Sequence, residues 1–326
     1  MKRYFTAISE PIADYKWQKL FYERWPAYKD WLVASKPTTD LQTALTALKK
    51  YMPEMVPIHA QLCTLVGADE LANIFLTGFQ PPTYLSACSN AVSTEGNITL
   101  IRNYDYHLDR FEGIVLHTAW NGKKVIASSD CLIGVLDGMN EDGLAVSLTF
   151  GGRPNVGYGF GIPYILRYIL EFCSNVKEAI EVLHRVPSHM SYNVTLVDKS
   201  GEYLTAQIAP DKKTTITENR YATNHQGKID WEETVDTNQT IERATFLESL
   251  LKRKFSAKKL IKVFLTPPLY NTNFDKGFGT IYTAVYKPIE GLVEIHWPND
   301  KMIQSFDNFI EETKVITYAY PNILAE

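Results

Sequence analysis

The feature that most constrains this chain is a change of hydrophobic period at Gln80-Pro81-Pro82-Thr83. Ahead of that breaker cluster, apolar residues recur at three- and four-residue spacing, as in Leu41, Ala44, Leu45 and Leu48 behind Thr39-Asp40, a helix start. Pro53 ends that helix, and Pro57 to Val66 and Ala68 to Phe79 read the same way, so the chain up to about residue 85 is expected to be helical. Past the cluster the period falls to two, which predicts strands at Ile98 to Tyr106, Gly113 to Trp120, Leu144 to Phe150, Ser191 to Val197, Glu202 to Ile208, Tyr282 to Tyr286 and Leu292 to Trp297. Glu95-Gly96-Asn97, Asn140-Glu141-Asp142-Gly143, Asp198-Lys199-Ser200-Gly201 and Pro288-Ile289-Glu290-Gly291 are turns between such strands. Two helical stretches interrupt, Val176 to His184 behind Asn175 and Thr240 to Arg253. Antiparallel hairpins with grouped helices indicate an α+β fold rather than a doubly wound parallel sheet.

Composition narrows the function. At 326 residues, 45% hydrophobic and 21% charged, the chain has the make-up of a globular protein with one large domain or two modest ones. Basic residues number 33 against 37 acidic ones, and the runs Lys252-Arg253-Lys254 and Lys258-Lys259 read as a solvated helix face, so no nucleic-acid partner is expected. No apolar run approaches the ~18 residues of a membrane span. The opening segment is cut off by Ser9-Glu10-Pro11 before it could serve in secretion, so no membrane and a cytoplasmic location are expected. Cys63, Cys88, Cys131 and Cys173 show neither CxxC nor zinc-ligand spacing, which predicts reduced thiols, no metal and no cofactor. Gly157-Tyr158-Gly159-Phe160-Gly161 does not fit dinucleotide spacing.

One cysteine stands out by position. Ser86-Ala87-Cys88-Ser89-Asn90 falls where the helical texture gives way to strands. A turn at Glu95-Gly96 folds a return strand carrying Arg102-Asn103-Tyr104-Asp105 against it, and pairing Thr94 with Asn97 sets Cys88 opposite Asn103. Arg102 and Asp105 then lie within one or two positions of the thiol. Being three apart, they fall on opposite faces of a regular strand, and both reach Cys88 only across a bulge or a strand end. A surface ion pair on a hairpin remains the plain alternative.

Cys88 followed by Arg102-Asn103-Tyr104-Asp105-Tyr106 resembles the signature of the choloylglycine hydrolase and penicillin V acylase group of N-terminal nucleophile hydrolases. The long segment ahead of the cysteine is similar to the acyl-coenzyme A:6-aminopenicillanic acid acyltransferase branch, whose propeptide is cut off autocatalytically. Gly138-Met139-Asn140-Glu141-Asp142-Gly143-Leu144, Ala222-Thr223-Asn224-His225, Thr240-Ile241-Glu242-Arg243 and Gly279-Thr280-Ile281-Tyr282 through His296-Trp297-Pro298 match later family stretches in order. The resemblance implies a four-layer αββα fold with two stacked antiparallel sheets, behind a helical pro-segment of residues 1–87 retained after cleavage between Ala87 and Cys88. Residues 88–326 would then be the catalytic domain. It further implies Cys88 as nucleophile, Arg102 and Asp105 flanking its thiol and amine, Asn224 as oxyanion donor and Arg243 as electrostatic support. Where the bile-salt branch has asparagine, Leu148-Thr149-Phe150-Gly151-Gly152 places Thr149, so the second donor is either its hydroxyl or a backbone N–H.

A thiol of pKa roughly 8.5 needs a base, and an N-terminal cysteine carries one in its own α-amine of pKa roughly 8. The expected activity is hydrolysis of a linear carbon-nitrogen amide bond in a small acylated amine of penicillin V, bile-salt or acyl amino acid type. Acyl transfer to an amine by the same thiol is the alternative, and an unprocessed binding or structural homologue is a further one. Homo-oligomer formation is left open. Two arginines at one thiol would also attract a carboxylate on the leaving portion of the substrate.

Overall fold

The computed structural model describes residues 1–35, 39–83, 85, 87–227, 229, 231, 238–274 and 278–318. The chain opens on strand β1 (Lys2–Ser9), where the expected helical segment should begin. Its residues alternate, Phe5 and Ala7 buried and Tyr4 exposed, and Phe5 packs against Phe111, Tyr282 and Trp297. Four helices follow, α1 (Tyr15–Ala34), α2 (Leu41–Tyr51), α3 (Met55–Val66) and α4 (Glu70–Phe75). The carboxylate of Asp40 caps α2 by accepting from the Thr43 N–H at 2.7 Å.

The second texture yields β2 (Ala87–Ser93), β3 (Thr99–Tyr106), β4 (Ile114–Thr118), β5 (Val125–Asp130), β6 (Gly134–Asn140) and β7 (Leu144–Phe150). Helices α5 (Ile162–Phe172) and α6 (Val176–Arg185) come next. They lead to β8 (Tyr192–Asp198), β9 (Tyr203–Ala209), β10 (Lys212–Thr217) and β11 (Tyr221–Ala222). The chain closes through α7 (Thr240–Leu251), α8 (Ala257–Phe264), β12 (Gly279–Lys287), β13 (Leu292–Trp297), β14 (Asp300–Ser305) and β15 (Glu312–Thr317).

Two sheets result, one in the order β10-β9-β8-β7-β6-β5-β4-β1-β15 and one in the order β11-β2-β3-β12-β13-β14. Every neighbouring pair is antiparallel except β1 with β4. Helices α5 and α6 cover the first sheet, α7 and α8 cover the second, and β2 meets β7 across the middle, so the layers run αββα. This is the α+β architecture expected, with β1 as the departure. Because β1 lies between β4 and β15, residues ahead of Cys88 form part of the first sheet as well as a helical layer.

Helix α5 was invisible to periodicity because nearly all its side chains are buried, leaving no polar stripe to mark a face. It packs so closely on β6 that a Cβ built on Gly138 would stand 2.6 Å from the Ala127 Cβ and 2.8 Å from the Leu170 Cδ1. Gly138→Val is expected to overpack this layer and cost about 2–3 kcal/mol of stability. A lower urea midpoint at unchanged slope checks it, and a wild-type midpoint would refute it.

Candidate active site

Strands β2 and β3 form the hairpin that carries the site, in a register one residue away from that implied by the turn. Ser93 pairs with Thr99, Cys88 with Tyr104 and Ala87 with Asp105. The loop runs from Thr94 to Ile98, longer than a tight turn, with Gly96 at φ 81° in the left-handed region that glycine tolerates. Directly opposed residues share a face, so the slip exchanges faces. Cys88, Arg102 and Tyr104 point between the sheets. Asp105 goes with Ser89 and Asn103 to the other side, where the Asn103 Nδ2 donates to the carbonyls of Phe264 and Leu269.

Arg102 is fully buried. Its Nη2 donates to the Cys88 Sγ at 3.0 Å, its Nε to the Leu148 carbonyl at 3.0 Å, and its Nη1 to Asp137 on β6. Burial opposes the guanidinium charge, but Cys88 and Asp137 outweigh it and hold the pKa well above the ordinary value.

Arg243 reaches the same cysteine from α7. Its Nη1 donates to the Cys88 carbonyl at 2.8 Å and the Ser89 Oγ at 2.6 Å, and lies 3.4 Å from Asp105. Its Nη2 donates to the Asn224 Oδ1 at 2.7 Å and its Nε to the Asn238 carbonyl at 2.9 Å. Burial pushes its pKa down against the pull of Asp105 and Cys88. Asp105 also accepts from the Thr280 Oγ1 at 2.7 Å, and burial raises its carboxyl despite Arg243, Thr280 and Arg102. Each guanidinium is thus ion-paired inside the protein, Arg102 with Asp137 and Arg243 with Asp105. Both cations therefore reach the site already partnered by a carboxylate.

Asn224 follows β11, its N–H held by the Thr240 Oγ1 at 2.7 Å. Gly152, at φ 72°, lets the backbones close, since a Cβ there would stand 2.4 Å from the Asn224 carbonyl oxygen. The Asn224 Oδ1 accepts the Cys88 N–H at 2.9 Å, and its Nδ2 lies 3.4 Å from the Phe150 carbonyl, at the long end of a hydrogen bond. Thr149 sits nearby, but its hydroxyl donates to the Thr223 carbonyl at 2.7 Å and accepts from the Asn193 Nδ2 at 3.0 Å, so its proton is already committed.

Cys88 and Ala87 are buried at the start of β2 rather than held in an open loop. A cavity of about 390 Å³ is lined by Leu32, Ile74, Phe79 and the Pro81 to Thr83 stretch from the segment ahead of Cys88 and by Ile133, Tyr164 and Tyr192 from the strand-rich part. Burial raises the Tyr192 phenol, and Cys131, Asp130, Tyr106 and Cys88 add to it. Among the aromatic residues, Tyr104, Phe150 and Phe160 are core, Tyr106 is half-buried and Tyr158 is exposed.

Sequence reasoning passed over Asp137, Thr280 and Asn193. Asp137 left one signal, an acid alone in the apolar run Val135-Leu136-Asp137-Gly138-Met139. Among the described residues, no group of three or more His, Cys, Asp and Glu could hold a metal ion, and no helix is long and apolar enough to cross a membrane.

A cysteine at a strand start, held by two arginines and an asparagine between stacked antiparallel sheets, defines an enzyme of the N-terminal nucleophile hydrolase type, acting by amide hydrolysis or acyl transfer. Residues 92–302 match the acyl-coenzyme A:6-aminopenicillanic acid acyl-transferase family, and the chain belongs to that family. No curated protein matches the sequence. Among solved structures, a mutant conjugated bile acid hydrolase from Clostridium perfringens is similar at 15% identity and a TM-score of 0.48, over 72% of this chain and 97% of that one. Penicillin V acylase from Agrobacterium tumefaciens is similar at 13% identity and a TM-score of 0.43, over 70% and 90%. A Caenorhabditis elegans ortholog of N-acylethanolamine-hydrolyzing acid amidase is similar at 16% identity and a TM-score of 0.47, over 71% and 100%.

Lysine in place of Arg243 keeps a charge but not a planar fork. One ammonium cannot meet the Cys88 carbonyl, Ser89, Asp105 and Asn224 together. Arg243→Lys is expected to fold and lose most turnover, read from steady-state kinetics on a soluble variant. Near-wild-type kinetics would show that charge alone suffices.

Proposed function

We propose that this chain is an autoprocessing cysteine amidohydrolase that cleaves the amide bond of a small acylated amine, with Cys88 as nucleophile. The observation that carries the reading is that Cys88 is held at both ends, its sulfur 3.0 Å from the Arg102 Nη2 and its nitrogen 2.9 Å from the Asn224 Oδ1.

In the uncleaved chain the sulfur would attack the Ala87 carbonyl carbon. The carbon-nitrogen bond breaks as the acyl group moves to sulfur, and the nitrogen takes up a proton. Water then hydrolyses the thioester, leaving a carboxylate on Ala87 and a free thiol and amine on Cys88. The burial of Ala87 supports self-cleavage, since an outside protease has no access to that bond.

In the cleaved enzyme the α-amine, of pKa roughly 8, takes the thiol proton. Arg102 favours thiolate, and the sulfur attacks the substrate carbonyl. With the Thr149 proton committed to Thr223, the Asn224 Nδ2 is the side-chain donor this reading assigns to the oxyanion. The ammonium protonates the departing amine, and water releases the acid from the thioester. The apolar cavity beside Tyr192 suits an apolar acyl group. Acyl transfer differs only in the final acceptor, so product analysis with and without an added amine separates the two.

Two outcomes test the reading. The intact-protein mass should show two fragments meeting at Ala87-Cys88, and Cys88→Ala should give one chain. Two fragments at that bond in the variant would refute self-cleavage. Asn224→Ala should lower turnover on the order of 100-fold, with a smaller change in KM. Unchanged turnover in a folded variant would remove Asn224 from the oxyanion site.

A further inference from the structure

The geometry points to Asp137 as a positioning residue for Cys88: it fixes the plane of the Arg102 guanidinium and sets how much of that charge the sulfur feels. This rests on the reading of Cys88 as nucleophile.

Asp137 lies on β6, in the sheet opposite the cysteine, with no exposed surface. Its Oδ2 accepts from the Arg102 Nη1 and from the Tyr282 hydroxyl at 2.9 Å. Its Oδ1 accepts from the Ser128 Oγ at 3.0 Å and from the Tyr286 hydroxyl. Four donors from β3, β5 and β12 therefore span both sheets to hold one carboxylate. Burial first, and then Asp137 itself, pushes the phenols of Tyr282 and Tyr286 well above their ordinary range, so both remain donors. A support this dense leaves the carboxylate no freedom to turn.

The guanidinium inherits that rigidity. It is planar, so once the Nε is fixed on Leu148 and the Nη1 on Asp137, the direction of the Nη2 toward the Cys88 Sγ is determined. The Tyr104 ring, 4.9 Å from the guanidinium carbon, stacks along one side. Charge is the second effect. An anion paired with Arg102 offsets part of the field that would otherwise stabilise thiolate, so Asp137 keeps the thiol less acidic than an unpaired arginine would make it. Since nucleophilicity falls with thiol pKa, that restraint preserves the reactivity of the sulfur.

Asp137→Asn separates charge from shape. Its amide oxygen can still accept from the Nη1, and its NH₂ can donate to a hydroxyl that rotates. The test is a pH titration of thiolate ultraviolet absorbance in the full chain, taken as the difference from the same protein carrying Cys88→Ser. Asp137→Asn should move the midpoint down by about one pH unit. Arg102→Met should move it up, and the double variant should depart from the sum of the two single shifts, because the positioning effect of Asp137 runs through Arg102. An unchanged midpoint in folded Asp137→Asn, or strictly additive shifts in the double variant, would overturn the inference. Should Asp137→Asn not fold, Tyr282→Phe carries the test. It removes a donor from the oxygen shared with Arg102 and should shift the midpoint upward, and no shift would overturn the inference. The titration reads the thiol itself and needs no substrate. A failure of the nucleophile reading would appear separately, as unimpaired turnover in Cys88→Ser.

Discussion

Arg102 carries a positive charge into the dry space between two sheets, and much of what surrounds Cys88 serves to keep it there. An unpaired buried guanidinium would be costly by several kcal/mol, so the space holds an acceptor for each of its edges: a carbonyl on β7, a carboxylate on β6 and the sulfur on β2. The carboxylate recruits two phenols and a serine in turn. A thiol placed in that network meets a donor whose position was settled by groups in the other sheet. The surroundings of the sulfur at one strand end thus depend on the packing of two sheets.

Arg243 solves a different problem. It binds mainly to the backbone and neighbours of Cys88, through the Cys88 carbonyl, Ser89 and the Asn224 amide oxygen. That choice of acceptors orients Asn224, because an oxygen held by Arg243 and the Cys88 N–H turns the NH₂ end the other way. One arginine addresses the sulfur and the other the frame around it, although both were read from sequence as charges near one thiol.

Period-two strands with a polar or turn-marked boundary were legible, β7 and β13 to the residue. The Asn175 cap placed the start of α6. Helix α5 was not legible, since it is buried on every side and offers no polar stripe to read. Strand β1 was hidden by its neighbours, whose helical pattern was extended back over residues that alternate. The hairpin register failed because loop length decides it, and neither Glu95 nor Gly96 specifies whether the turn is tight. That slip matters chemically, since the face shared with the thiol belongs to Arg102 rather than Asp105. Asp137 lay beyond reach because its partners come from β3, β5 and β12, which only the closed fold brings together.

The place of β1 in the first sheet has a consequence for any break in the chain between Ser9 and Ala87. Among the described residues, strand β15 joins the rest of that sheet only through β1, so each fragment would supply strands the other needs to close its ladder. Withdrawing the smaller piece would strip pairing from β4 and β15 at once and bare two rows of backbone groups. A nicked molecule would therefore behave as one cooperative unit written on two polypeptides. Dilution, which separates ordinary heterodimers, would have little purchase on it short of unfolding.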